Sequence, residues 1–320
     1  MARVFVAGSL NMDLVARAVR QPRPGETVLG SGYVTSPGGK GANQAVAAAK
    51  LGAQVFMIGT VGEDAFGAEL RAYLAGNGVD IGGVRATAEA KSGVAFIVVG
   101  DSGENAIVVI PGANATLGAG DVRDVVVTRG DVVVAQFETP LATTEALFRR
   151  CREAGATTIL NCAPALPCTR DLLDLAGMLV VNETELATLL AIDPARIGSP
   201  EAALEASRSL RTRPAQVVVT TLGPRGAVAI DGDRALVIPG HQVPVVDTTG
   251  AGDTFVGATA ARLAAGATLD EALDQANLAA ALSVQRPGAG PASPTLDELF
   301  RGTAPGFALR YQDSKTKAQR

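Results

Sequence analysis

The chain has 320 residues, 47% of them hydrophobic and 19% charged, and its 28 Lys and Arg against 32 Asp and Glu leave a net charge of −4. That is enough apolar chain for a large core, and the basic excess of a polyanion-binding protein is missing, so nucleic acid is excluded as the main partner. The 37 glycines follow no G-X-Y period, and Cys151, Cys162 and Cys168 form neither a CxxC pair nor a cluster with the single histidine, which excludes a fibrous, disordered or disulfide-stapled protein.

Residues 3–8 (RVFVAG) are apolar and β-branched and read as a buried strand. Asn11 and Asp13 follow in SLNMD. In extended chain they point the same way and grip adjacent hydroxyls; the alternative is an Asx-turn. They also place polar groups where a signal peptide needs its apolar region, so a cytoplasmic location is expected. Residues 14–37 are rich in Pro, Gly, Thr and Val and break the strand–helix rhythm. The cluster Gly38-Gly39-Lys40-Gly41-Ala42-Asn43 then leads into a helical pattern over 42–51. It is either a flexible turn with a helix cap, or a place where backbone approaches a small polar ligand and Asn43 donates to hydroxyls.

A strand at 54–59 and a helix at 65–75 come next. Residues 92–110 read as two strands joined by Gly-Asp-Ser-Gly-Glu-Asn, a hairpin signal. With 14–37 this makes either two surface hairpins or a small projecting β-sheet that serves as a lid. Strands at 131–136, 157–160, 178–181, 216–221 and 227–230 alternate with helices at 141–154, 183–191, 201–211, 251–265 and 269–284. Near-continuous apolar strands alternating with helices predict an α/β fold, a mainly parallel central sheet flanked by helices. His241, after Pro239-Gly240, reads as a turn or surface residue. One α/β domain over 1–305 is expected, with an unstructured polar tail at 306–320. No apolar run reaches the roughly 18 residues that span a bilayer.

The densest chemistry lies at 245–257, VVDTTGAGDTFVG, where a strand leads into a glycine turn and a strong helical pattern. The amides of Gly250, Ala251 and Gly252 come free at a new helix start, where an anion can sit. Asp253 is either a helix-cap or dipole partner, or a base for phosphoryl transfer beside that nest of amides. Two other phosphate motifs fail. G-x-G-x-x-G would need glycine at Phe255, which makes an oxidoreductase the weakest reading, and the P-loop fails because Gly41 follows Lys40 and Val34 occupies the first glycine position.

GSLNMD, PGETV, GGKGANQA, NETE, TLGPRG and DTTGAGDTF occur in that order, and on these motifs residues 3–298 resemble the ribokinase branch of the PfkB carbohydrate kinase family. The resemblance implies an ATP-dependent sugar kinase that makes ribose 5-phosphate from ribose. Deoxyribose, a ketose or a nucleoside are the alternative acceptors, and a non-catalytic sugar- or nucleotide-binding protein is the alternative class. Asp253 would be the base and Gly250, Ala251 and Gly252 the anion hole. Asn11, Asp13, Gly39, Lys40, Gly41, Asn43 and Glu138 would hold the sugar together with Asp253. Asn182 and Glu185 would organise Mg²⁺ and phosphates, although NETE also reads as a helix cap. Thr221, Gly223, Gly226 and Gly252 would line the nucleotide, with Asn277 at the adenine. An activating K⁺ would sit on Asp247, Thr249, Ser283, Arg286, Gly288 and Ala292, mostly through carbonyls. Ala292 stands where serine is usual, with Ser293 beside it. Cys162 replaces a proline of the family pattern and reads as a packing residue. A homodimer with paired lids is also implied.

Overall fold

The computed structural model describes residues 2–302, so the tail expected at 306–320 lies outside the described residues. In chain order the strands are β1 (Arg3–Ala7), β2 (Asn11–Ala18), β3 (Gly30–Gly38), β4 (Gln54–Gly62), β5 (Val79–Thr87), β6 (Gly93–Gly100), β7 (Asn105–Ile110), β8 (Val132–Gln136), β9 (Thr157–Asn161), β10 (Met178–Asn182), β11 (Val217–Thr221), β12 (Gly226–Asp231) and β13 (Arg234–Pro239). One sheet of nine strands runs β13-β12-β11-β10-β9-β8-β1-β4-β5. It is parallel except at the β11–β12 and β12–β13 pairs, as the sequence predicts.

Strand composition explains this arrangement. In β1, Val4 and Val6 enter an apolar cluster with Ala42, Val46, Leu70 and Phe255, while Phe5 and Ala7 enter another with Leu147, Leu172 and Leu186. Alternation sends apolar side chains to both faces, so the sheet needs a helical layer on each side. Helices Lys40–Lys50, Ala65–Gly76, Ala251–Ala264 and Leu269–Ser283 supply one layer. Leu141–Ala154, Arg170–Leu175, Glu183–Leu190 and Pro200–Leu210 supply the other. All seven helical patterns read from the sequence are helices, with ends shifted by less than a turn.

The sequence gives no clear sign of β5 or β13. Both are edge strands, and β5 carries Asp80, Arg85 and a Gly82-Gly83 pair, with its register slipping between Phe56 and Ile58 of β4. A half-exposed, irregular edge has no continuous apolar run to betray it.

A second sheet of four strands runs β3-β2-β6-β7. The 92–110 hairpin is its antiparallel β6–β7 pair. β2 pairs with β6 along its whole length, from Asn11 opposite Gly93 to Ala18 opposite Gly100, so the two irregular regions make one sheet rather than two separate hairpins. Its root joins β1 through residues 8–10, and all six residues of edge strand β7 are exposed. Among the described residues no helix is long and apolar enough to cross a membrane.

Candidate active site

The C-terminal ends of β9, β10 and β11 meet the starts of three helices around a cavity of ≈ 200 Å³ lined by Lys40, Asn161, Asn182, Glu185, Gly252 and Asp253 among others. This edge is where open α/β sheets present ligand sites. Asp253 is the third residue of helix Ala251–Ala264 and only 7% exposed. Its Oδ2 accepts from Asn43 Nδ2 and its Oδ1 from Gln44 Nε2, both at 2.9 Å. Both carboxylate oxygens are thus held by side chains of a different helix, so Asp253 does not cap its own. Gln44 also donates to Asn161 Oδ1 at 3.0 Å and accepts from Gln136 Nε2 at 2.7 Å, extending the network across the floor.

A backbone contact sets this geometry. A Cβ at Gly257 would lie 2.4 Å from the Gln44 carbonyl oxygen and 2.7 Å from the Ala47 Cβ. Helices Lys40–Lys50 and Ala251–Ala264 therefore touch at a point that only glycine permits. At the helix start, Gly250 adopts φ 72°, and a Cβ there would meet that of Ala289 at 2.6 Å. Of the three expected anion-hole amides, Ala251 N–H is turned towards the Thr248 carbonyl at 3.3 Å. Gly252 is open, with no neighbouring atom within 4 Å of where its side chain would begin.

Among the residues expected to hold a sugar, Asn11 and Asp13 both lie on β2 and share one face, so the strand reading holds over the Asx-turn. Asn11 Oδ1 accepts from Asn114 Nδ2 at 2.7 Å, which leaves the donor end of its amide for a hydroxyl. Glu138 Oε2 accepts from Ser9 Oγ at 2.5 Å and from the Lys40 amide at 3.1 Å. Burial, then the charges of Glu138 and Asp253, push the Asp13 carboxyl up to about 7. Burial pulls the Lys40 ammonium down, but Asp253, Glu138 and Glu185 outweigh it and hold its pKa above the ordinary lysine value. Gly39 and Gly41 serve the fold here. A Cβ at either would strike the backbone of residues 8–11, at 2.7 Å from Asn11 N and 2.6 Å from Gly8 C. A further cavity of ≈ 370 Å³, lined by Asn11, Asn114, Glu138, Val109 and Phe137 among others, opens beneath the small sheet.

Where the nucleotide-lining residues are expected, a cavity of ≈ 430 Å³ shares Thr221, Thr248, Ala251 and Gly252 with the central one and extends past Gly223 to Asn277. Asn277 donates from Nδ2 to the Pro239 carbonyl at 2.8 Å. Gly226 serves the sheet, since a Cβ there would meet the Ile238 carbonyl oxygen at 2.0 Å. His241 lies in the irregular loop after β13, as the sequence reading has it, and is half-buried in the wall of this cavity, where burial lowers its pKa against the opposing charge of Asp274. Asn182 and Glu185 do form a reciprocal capping box, at 2.8 Å in both directions, and both still line the central cavity. Burial raises the Glu185 pKa against the Asn182 amide and Lys40. Cys162 is fully buried in an apolar cluster, where burial raises its thiol pKa well above the ordinary value.

Beside the anion hole, Asp247 Oδ1 accepts from the Thr249 amide at 2.9 Å and hydroxyl at 2.6 Å, and Oδ2 from the Gly288 amide at 2.9 Å. The Ser283 carbonyl already accepts from Arg286 N–H at 3.1 Å, and the Arg286 guanidinium turns to Glu298 at 2.6 Å. Lys50 Nζ clamps the carbonyls of Pro291 and Ser293 at 2.6 and 3.0 Å. Ser293 Oγ is paired with Thr254 Oγ1 at 2.8 Å, so it does not replace the hydroxyl missing at Ala292.

Sequence reasoning missed Gln44, Asn114, Asn161 and Gln136. Gln44 lies inside GGKGANQA and had a signal; the other three had none, because their partners are about a hundred residues away in sequence.

The family model described as pfkB family carbohydrate kinase matches residues 1–296. The ribokinase of Bacillus subtilis is 40% identical over 301 residues, covering 93% of this chain and 98% of its own length. A deoxyribokinase of Salmonella typhi is 32% identical, covering 92% and 97%. A structure of Arabidopsis thaliana ribokinase complexed with ribose and ATP superposes with a TM-score of 0.83 at 31% identity, covering 94% of this chain and 99% of that one. The chain belongs to the pfkB family of carbohydrate kinases.

Proposed function

We propose that this chain transfers the γ-phosphate of ATP to the 5-hydroxyl of D-ribose, with Asp253 as general base. The carrying observation is the Asp253 carboxylate, gripped on both oxygens at the floor of a cavity that adjoins the nucleotide-side cavity and borders the sugar-side residues. In that place it can take the proton of a hydroxyl attacking in line, while the amides at the helix start hold charge developing on the phosphate. Asn11, Asp13, Asn43 and Glu138 would orient the sugar, with Lys40 balancing the local negative charge. Closure of the small sheet would exclude water, which competes as acceptor.

The residues fit the expected metals. Glu185 is a partly buried carboxylate facing the cavity, and a hard cation bridging to phosphates suits such an oxygen donor. Mg²⁺ would supply charge neutralisation on the β- and γ-phosphates when bound. For K⁺, the Asp247 carboxylate fixes the Thr249 and Gly288 backbone, whose carbonyls would be the hard oxygen donors, with Ala292 contributing no hydroxyl. A homodimer through the small sheet is supported by the exposed apolar edge strand β7, since an unpaired edge of this kind invites a partner. A cytoplasmic location fits the free cysteines.

The test is Asp253→Asn assayed for ribose-dependent ADP release. We expect a loss of about 10³-fold or more in kcat with folding intact, on the scale of removing a base and its charge. Near-normal turnover would overturn the mechanism. Parallel assays with ribose and deoxyribose fix the acceptor, since a site that hydrogen-bonds a hydroxyl discriminates against the analogue lacking it.

A further inference from the structure

Asn43 reaches Asp253 with its amide nitrogen, because a carbonyl oxygen facing the carboxylate would be repelled. Its Oδ1 therefore lies on the far side, buried and without a hydrogen-bond partner. The hydroxyl of Tyr73, on helix Ala65–Gly76, is a second buried polar atom without a partner. The two converge on one residue. A Cβ placed on Gly290 would lie 2.6 Å from the Tyr73 hydroxyl and 3.2 Å from Asn43 Oδ1, so the oxygens are separated by no more than the sum of those distances.

Their chemistry is complementary. Oδ1 can only accept, and burial pushes the Tyr73 phenol up to about 12, so it keeps its proton to donate at any physiological pH. A buried polar group left unpaired costs about 1–3 kcal/mol, so leaving both unpaired would be expensive beside the most constrained residue of the site. Gly290 keeps the passage between them open, and its neighbour Ala289 packs against the Gly250 turn.

We propose that Tyr73 is a positioning residue: its hydroxyl hydrogen-bonds Asn43 Oδ1, directly or through one water, and so fixes the amide that orients Asp253. The inference rests on Asp253 acting as the base. Without the tyrosine hydroxyl the Asn43 amide is free to turn, one donor to the carboxylate weakens, and the base holds its proton to higher pH.

Tyr73→Phe removes only the oxygen. We expect kcat to fall roughly three- to tenfold, on the scale of one lost hydrogen bond, with the acid limb of the kcat/KM–pH profile moving to higher pH. A merely structural role would leave that limb in place. Gly290→Ala, which puts a methyl between the two oxygens, is expected to give the same defect, and the double variant to be no worse than either single one. Wild-type kcat with an unmoved acid limb in Tyr73→Phe, or additive losses in the double variant, would overturn the proposal. Since both outcomes are read on an enzyme active towards ribose, they are distinguishable from failure of the Asp253 mechanism, in which the Asp253→Asn protein itself would turn over.

Discussion

The catalytic floor and the small sheet above it are built on opposite principles. At the floor, Asp253 is held by Asn43 and Gln44, Gln44 by Asn161 and Gln136, and the helices that carry the first three are locked at the Gly257 crossing. The outer part of the small sheet has strand pairing but little else: Tyr33, Val34 and Val108 are 79%, 59% and 62% exposed, and β7 has solvent on both faces. A buried polar network of this kind is rigid because each partner's loss strands another, even though Asn43 Oδ1 and Gln136 Oε1 lack partners, whereas a sheet edge with no covered face is freer to move. Position is over-determined at the floor and loosely determined at the outer edge of the small sheet.

The contrast can be broken at the floor. Gln44→Ala removes one donor from Asp253 and strands the amides of Asn161 and Gln136 at a fully buried position. We expect a loss of about 2–4 kcal/mol in urea unfolding and a fall in kcat of tenfold or more. A variant as stable and active as the parent would show that the network is ornamental. The next effect falls at the sheet's root. The Asp13 carboxyl, pushed up to about 7 in the folded protein, binds its proton more tightly there than in the unfolded chain, where carboxyls titrate near 4. Stability must therefore decline as pH rises through that interval and stay low above it. Asp13→Asn is expected to remove the decline, raising Tm at pH 8 relative to pH 5, while KM for ribose increases by about tenfold or more. The same thermal dependence on pH in both proteins would refute the assignment. The smallest effect on stability is expected at the edge: Val108→Asp should alter unfolding by less than about 0.5 kcal/mol, yet shift the mass measured by light scattering from dimer to monomer. An unchanged dimer would place the interface elsewhere.

How much was legible follows the same division. The layered sheet could be read because each strand is apolar on both faces, and Asp253 with its glycines because turn chemistry is local in sequence. Asn182 and Glu185 read both as a cap and as site residues, and in the structure they form the capping box while lining the central cavity. Asn114 was invisible because its partner Asn11 is 103 residues away, and Gln136 because its partner Gln44 is 92 residues away. That His241 lines a cavity was not legible, because that cavity is assembled from the β11–β12 turn, the 240–248 loop and helices Ala251–Ala264 and Leu269–Ser283, which no local pattern brings together. Edge strands β5 and β13 were missed since half-exposure dilutes the apolar signal on which strand reading depends.

The cluster of Asp13, Glu138 and Asp253 around a single Lys40 also has a bearing on the end of the catalytic cycle. Asp13 already feels the other two carboxylates before any substrate arrives. An uncharged polyol enters such a basin and offers hydroxyls to it. A sugar ester bearing a doubly charged phosphate meets the same carboxylates with only Lys40 and the helix amides to offset them. The site is in this sense an electrostatic valve, more hospitable to what it takes in than to what it has made.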